Sequence, residues 1–171
     1  MFNKILVALD NGAGWESVYE QGLDLAKASG SKIMLLHVLS PIDDPYINPV
    51  LMQPETIYPS LQTEAMNKYM QAWHELKQER LQWLRSLTQA SINLGVETEC
   101  TQQIGDAGRL ICEFARNWPA NLIVVGRRGR TGIRELFLGS VSNYVLHHAS
   151  CSVLTVQGTN HSDQERIASD I

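Results

Sequence analysis

Short runs of consecutive apolar residues recur along the chain, and each predicts a buried strand. They cover residues 5–9, 33–39, 122–125 and 152–156. Runs of this length and composition are typical of parallel strands that helices cover on both faces. A fifth strand is predicted over 96–102, where apolar and polar residues alternate as in a strand near the edge of a sheet. We interpret 122–125 as the most central strand.

Between these predicted strands, apolar residues recur at the spacing of one face of a helix. The first helix ends at Gly30, and further helices are predicted over 61–94, 106–117 and 140–149. Strands that alternate with helices indicate an α/β fold, with a doubly wound open sheet of about five mostly parallel strands. Such sheets bind ligands outside the carboxyl ends of their strands, where the strand order reverses. This rule nominates the loops that follow Leu9, Leu39, Gln103 and Val125.

Prolines interrupt the chain between the second strand and the long helix. Five of the six prolines lie within residues 40–60. Because proline at this density excludes a regular helix or a central strand, we predict a long surface loop there. We expect this loop to be an insertion in a single domain that spans residues 1–157. The polar residues 158–171 are predicted to form a frayed tail.

Charge and composition exclude several classes of protein. The formal net charge of −4 argues against general binding to nucleic acid or to a membrane surface, because both are anionic. No apolar run approaches the roughly 20 residues that a membrane helix needs. Cys100, Cys112 and Cys151 are scattered, which favours a reducing compartment over a disulfide framework or a zinc site. We therefore expect a soluble protein of the cytoplasm.

The segment after the strand 122–125 is rich in glycine and arginine. Glycine lets the chain adopt a positive φ, and it lacks the Cβ that would keep a phosphate away from backbone N–H groups. Gly139 and Ser140 then begin a predicted helix, whose first N–H groups and dipole favour an anion. Positive charge comes from four arginines, at positions 127, 128, 130 and 134. Polyphosphate is the anion that would use all of these groups together.

Structural interpretations of the same residues stay open. The glycines can serve turn geometry alone, the arginines can face solvent, and Ser140 can act only as a helix cap. Two other nucleotide motifs do not match. The tripeptide Gly-Lys-Ser/Thr of the Walker motif does not occur in the chain. Gly12 and Gly14 match the start of the dinucleotide motif, but Ser17 stands in place of its third glycine.

The glycine spacing carries a family resemblance. Gly126, Gly129, Gly139 and Ser140 fit Gly-x2-Gly-x9-Gly-Ser, which resembles the ATP-binding motif of the universal stress protein family. The likeness covers nearly the whole chain, including the aspartate that ends the first strand and the final strand 152–156. It implies the Rossmann-like fold of adenine-nucleotide alpha hydrolases.

The resemblance also implies roles for individual residues. The glycines and Ser140 would hold phosphates and ribose, Asp10 would meet the nucleoside, and the backbone of Val38 would read the adenine edge. Together with the arginines, which add positive charge, and with the residues that follow Ser140, the predicted nucleotide contacts are Asp10, Val38, Gly126, Arg127, Arg128, Gly129, Arg130, Gly139, Ser140, Val141 and Ser142. The family's usual homodimer implies pairing of the last strands through Val153, Leu154, Thr155 and Val156.

Three hypotheses about function follow. The first is a regulatory stress protein whose output depends on ATP occupancy, without required turnover, acting on a protein partner that the sequence does not name. The second is a slow ATP hydrolase or nucleotidyl transferase, with Mg²⁺ recruited by the phosphates and with Glu135 or Asp10 in the reaction. The third is a homodimeric interaction module that binds another adenine nucleotide, such as AMP or a cyclic nucleotide.

Four other polar residues receive structural interpretations. His37 lies inside an apolar run and is predicted to be a core histidine. Asp106 precedes a predicted helix and is expected to be its N-cap. His147 and His148 are adjacent in a predicted helix, so they point to different sides and do not chelate one metal ion easily.

Overall fold

A computed structural model describes residues 2–12, 14–40, 59–127 and 138–157, of which residues 59–65 are described by their backbone alone. Residues 41–58 of the predicted proline-rich loop and the predicted tail over 158–171 lie outside the described residues. The elements are β1 (Lys4–Leu9), α1 (Trp15–Ser29), β2 (Lys32–Leu39), α2 (Pro59–Asn93), β3 (Thr98–Ile104), α3 (Ala107–Asn117), β4 (Leu122–Gly126), α4 (Ser140–His148) and β5 (Ser152–Val156).

The five strands form one parallel sheet in the order β3-β2-β1-β4-β5. This arrangement confirms the predicted α/β fold class, and all of the pairings are parallel. The prediction that 122–125 is the most central strand is wrong, because β1 lies at the centre and β4 beside it. All interior strands of such a sheet are covered by helices on both faces, and all therefore carry continuous apolar runs. An apolar run does not reveal the position of its strand in the sheet.

Helices cover both faces of the sheet. On one face, α1 and α2 pack against alternate strand residues such as Val7 and Leu35, both fully buried. On the other face, α3 and α4 pack against the intervening residues, such as Leu6 and Leu36. The alternation follows from the pleat, which turns successive side chains of a strand to opposite faces.

Two of the predicted helix ends are confirmed by their backbone geometry. Gly30 follows α1 with φ of 66°, and its N–H donates to the carbonyl of Ala26. Asp106 caps α3, because its side chain accepts a hydrogen bond from the N–H of Arg109 at 2.8 Å. The cap places a carboxylate at the positive end of the helix dipole, where it stabilises the helix.

Helix α2 is longer than the sheet that it covers. Its 35 residues span about 52 Å, whereas the 7 residues of the neighbouring β3 span about 23 Å. The carboxyl-terminal part of α2 packs on the sheet, where Leu84 is fully buried. Met66 and Met70, nearer its amino terminus, are about half exposed. No helix in the described part of the chain is long and apolar enough to cross a membrane.

The three cysteines are free thiols. Cys112 is buried, whereas Cys100 and Cys151 are half-buried. Burial raises the pKa of the Cys112 and Cys151 thiols, because the charged thiolate is poorly solvated there. These two side chains therefore stay neutral near pH 7 and pack with the apolar residues between the sheet and the α3/α4 layer.

Candidate functional site

The carboxyl ends of β2, β1 and β4 lie side by side, and predicted site residues lie at all three. Val38 is the penultimate residue of β2, Asp10 directly follows β1, and Gly126 is the last residue of β4. The chain leaves β1 through α1 toward β2 and leaves β4 through α4 toward β5, which is the opposite direction. The crevice expected at such a reversal therefore lies between Asp10 and Gly126.

The backbone of Val38 points toward β1. In β2 the N–H of Lys32 donates to the carbonyl of Asn3 on the β1 side, and every second residue repeats this direction. The last paired position between the two strands joins Leu9 to His37, one residue before Val38. The Val38 carbonyl therefore faces the position just beyond the end of β1, where a base lying across the sheet edge would meet it.

Asp10 shapes the turn that links β1 to α1. Its Oδ1 accepts a hydrogen bond from the N–H of Gly12 at 3.1 Å, which closes an Asx turn. Gly14 then begins α1 with φ of 96°, a left-handed conformation that glycine adopts without strain. Asp10 is thus a turn residue in the structure, and its contact with a nucleoside stays a prediction.

The amino terminus of α4 lacks the kind of cap that α3 has. Gly139 is its N-cap, and among the described residues no side chain accepts a hydrogen bond from the first turn. The first bond within the helix runs from the N–H of Asn143 to the carbonyl of Gly139 at 2.9 Å. The N–H groups of residues 140–142 precede that bond, so the positive end of the dipole is presented to an anion. Ser140 is exposed at this end.

Two hydrogen bonds hold the start of α4 against the end of β4. The carbonyl of Arg127 accepts from the N–H of Gly139 at 2.8 Å and from the hydroxyl of Ser142 at 2.9 Å. Ser142 is buried, and its hydroxyl also lies 3.0 Å from the carbonyl of Gly139. The structure thus places the Ser142 hydroxyl against the backbone below the exposed Ser140. Val141, between them, packs partly buried on the core.

Arg127 lies on the β5 side of the candidate site. Its backbone N–H donates to the carbonyl of Val156 at 2.7 Å, and its Nη1 donates to Oε1 of Gln157 at 2.7 Å. The guanidinium of Arg127 is therefore directed toward the end of β5. The remaining residues predicted for this loop, Arg128, Gly129, Arg130 and the acidic Glu135, lie outside the described residues.

An aromatic cluster that the sequence interpretation missed lies beside the site. The indole of Trp83 in α2 meets the ring of His37 edge to face at 5.7 Å and the ring of Trp15 at 5.2 Å. His37 is buried, as predicted for a core histidine. Trp15 begins α1 directly after the Asp10 turn, so the cluster connects that turn to α2 and to the end of β2. Trp15 and Trp83 are far apart in sequence, and no local pattern links them.

Comparison with protein families gives a match over most of the chain. The model of the universal stress protein family matches residues 1–157. Universal stress protein Sll1388 of Synechocystis is 39% identical over 160 residues, which cover 91% of this chain and 98% of that protein. Universal stress protein YxiE of Bacillus subtilis is 29% identical over 159 residues, covering 92% of this chain and 100% of that protein.

Solved structures share the fold at low sequence identity. The protein MJ0577 superposes with a TM-score of 0.71 at 19% identity, covering 94% of this chain and 99% of that one. A universal stress protein in complex with cAMP superposes with a TM-score of 0.58 at 18% identity, covering 92% of this chain and 99% of that one. A family protein of Arabidopsis thaliana with AMP bound gives 0.58 at 20% identity, covering 94% of each chain.

Proposed function

Since the chain belongs to the universal stress protein family, we propose that it is a cytoplasmic regulatory protein whose output depends on ATP occupancy and needs no turnover. The observation that carries the proposal is the amino terminus of α4, which begins at Gly139 without a side-chain cap and is held against the end of β4. A helix start of this kind is a site for phosphate. Two proteins that share the fold bind the adenine nucleotides cAMP and AMP.

The proposed nucleotide lies across the end of β1. Its base meets the backbone of Val38 on β2, and its phosphates meet the first turn of α4 beyond β4. The strands β2 and β4 flank β1, so they are separated by about 10 Å at the usual strand spacing. Asp10 follows β1 between them, which suits contact with the ribose. Gly126, Gly129 and the hydroxyl of Ser140 complete the proposed phosphate contacts, with charge from Arg128 and Arg130.

The backbone groups that supply most of the proposed contacts support occupancy without turnover, although the carboxylate of Asp10 also lies at this site. Backbone N–H and carbonyl groups bind a nucleotide through hydrogen bonds, and they do not exchange protons in the way that a general acid or base does. Bound phosphate would add negative charge beside Arg127, which is hydrogen-bonded to Val156 and Gln157 at the end of β5. A change in occupancy would therefore act on the neighbouring edge of the sheet.

The edge strand β5 is the proposed homodimer contact. It pairs with β4 on one side, and its residues Val153, Leu154 and Thr155 are only half-buried. An edge strand presents a row of backbone donors and acceptors to another chain. We propose that a second copy pairs there through Val153 to Val156, so that nucleotide occupancy reaches the dimer through Arg127.

Thermal unfolding in the presence of nucleotides tests the proposed ligand. At a concentration 100-fold above its Kd, ATP should stabilise the fold by about 2.7 kcal/mol, which raises the Tm of a chain of this size by about 5 °C or more. Mass analysis of ligand released from the freshly purified protein should find ATP. A protein that carries no adenine nucleotide and shows no shift with ATP would contradict the proposal.

Thermal unfolding with other nucleotides and an assay of phosphate release separate the other two hypotheses. A larger shift with AMP or cAMP than with ATP would assign the site to a nucleoside monophosphate. Phosphate release from ATP should stay at background in the presence of Mg²⁺. Sustained release that disappears in Asp10→Asn or Glu135→Gln would instead make the protein a slow hydrolase.

A further inference from the structure

The buried Ser142 makes contacts that differ from those of a ligand-binding serine. It is the third residue of α4 and is 2% exposed, whereas Ser140 at the start of the same helix is exposed. Its hydroxyl lies 2.9 Å from the carbonyl of Arg127 and 3.0 Å from the carbonyl of Gly139. A hydroxyl carries one proton, which these two backbone carbonyls share as acceptors.

The two carbonyls belong to the two ends of the glycine and arginine segment. Arg127 follows β4 directly, and Gly139 directly precedes α4. The Arg127 carbonyl also accepts the N–H of Gly139 at 2.8 Å, so two hydrogen bonds to this carbonyl come from the start of α4. Ser142 supplies the only one of these bonds that comes from a side chain, and it is therefore the one that substitution can remove.

We infer that Ser142 is a positioning residue for phosphate binding, and that it acts by fixing the start of α4 relative to the end of β4. The inference rests on the proposed function. The Ser142 hydroxyl does not itself touch the phosphate; it sets where the free N–H groups at the start of α4 point. The attraction of an anion to a helix start falls off within the first turn, so a small displacement of that turn weakens binding.

If Ser142 has this role, removing its hydroxyl and removing the hydroxyl of Ser140 affect ATP binding differently. Removing the Ser140 hydroxyl deletes one donor and leaves the direction of the backbone N–H groups unchanged. Removing the Ser142 hydroxyl leaves the carbonyls of Arg127 and Gly139 without this donor, and the first turn of α4 shifts with them. Since the base and the ribose are proposed to meet Val38 and Asp10, the displacement affects the phosphates and not the nucleoside.

Calorimetric titration with ATP and with adenosine tests the inference. In Ser142→Ala, the Kd for ATP should rise about tenfold, whereas the Kd for adenosine, which has no phosphate, should stay within twofold of the wild type. Ser142→Thr keeps the hydroxyl and should bind ATP within threefold of the wild type. Ser140→Ala is the matched control, with a smaller loss for ATP. A merely structural role of Ser142 would change both ligands equally, because it would lower the folded fraction.

The outcomes separate the inference from the function on which it rests. An unchanged ratio of ATP to adenosine affinity in Ser142→Ala would overturn the inference, and so would a Ser142→Thr variant as weak as Ser142→Ala. In a second measurement, inorganic tripolyphosphate should shift the amide resonances of Ser140 and Val141 in the wild type and much less in Ser142→Ala; equal shifts would contradict the inference. A wild-type protein that binds neither ATP nor adenosine would overturn the proposed function itself.

Discussion

Replacing Gly139 by aspartate should weaken ATP binding strongly while leaving the fold at least as stable as the wild type. Gly139 has φ of −61° and ψ of 157°, an extended conformation that any residue adopts without strain. Asp106 occupies the equivalent position of α3, with φ of −75° and ψ of 115°, and accepts the Arg109 N–H at 2.8 Å. A carboxylate in place of Gly139 would cap α4 in the same way and occupy the position proposed for phosphate.

The size of the effect follows from charge. Two negative charges about 4 Å apart repel each other by about 4 kcal/mol at an effective dielectric constant of 20. Because 1.4 kcal/mol is a factor of ten, we expect the Kd for ATP in Gly139→Asp to rise by about 100-fold or more. The midpoint of thermal unfolding should stay level or rise, since an aspartate N-cap is worth a few tenths of a kcal/mol more than glycine.

Asparagine at the same position is the matched control. It caps helices as well as aspartate does but carries no charge, so Gly139→Asn should lose much less ATP affinity than Gly139→Asp. Calorimetry at two salt concentrations adds a second criterion, because repulsion between exposed charges is screened at high salt. Binding of ATP by Gly139→Asp within threefold of the wild type would show that phosphate does not lie at the start of α4.

Local sequence patterns predicted the elements well and their arrangement less well. The helix predicted over 106–117 begins one residue later, at Ala107, because Asp106 is its cap. The strand predicted over 96–102 is Thr98–Ile104, and it lies at an edge as the alternation indicated. The central strand of the sheet is β1 and not β4. Strand order depends on the crossover connections, which an apolar run does not encode.

Some features of the candidate site could be predicted from local sequence patterns, whereas contacts between residues distant in sequence could not. Gly139 and Ser140 could be identified from spacing, since a glycine and a serine at a helix start are local features. The bond from Ser142 to Arg127 joins residues 15 apart, and the bond from Arg127 to Gln157 joins residues 30 apart. No periodicity records such contacts, so the sequence could not show that Ser142 faces the backbone.

The turn that carries Asp10 depends on how closely α1 approaches β1, and Gly22 sets that approach. A Cβ added at Gly22 would lie 2.6 Å from Cγ2 of Val7, which is fully buried in β1. The short, branched side chain of Val7 is stiff at χ1 and has few alternative positions. A methyl group at residue 22 would therefore push α1 away from the sheet, and with it Trp15, which begins α1 after the Asp10 turn.

Gly22→Ala should accordingly destabilise the protein, although alanine has a higher helix propensity than glycine. In an exposed helix position alanine is favoured over glycine by about 1 kcal/mol. Extra methyl groups in a packed core cost about 1 to 3 kcal/mol. The difference between these two terms predicts a net loss of about 1 kcal/mol in the free energy of unfolding, measured by denaturant titration. Ala28 is exposed in the same helix, so Ala28→Gly measures the propensity difference alone.

The effect of Gly22→Ala should reverse when its neighbour is made smaller. Val7→Ala removes the methyl groups that the new Cβ would meet, and it leaves a cavity that this Cβ can fill. In the Val7→Ala background, Gly22→Ala should therefore be neutral or stabilising, with a coupling of about 2 kcal/mol between the two sites. Additive losses in the double variant would show that the contact between α1 and β1 at this position does not govern stability.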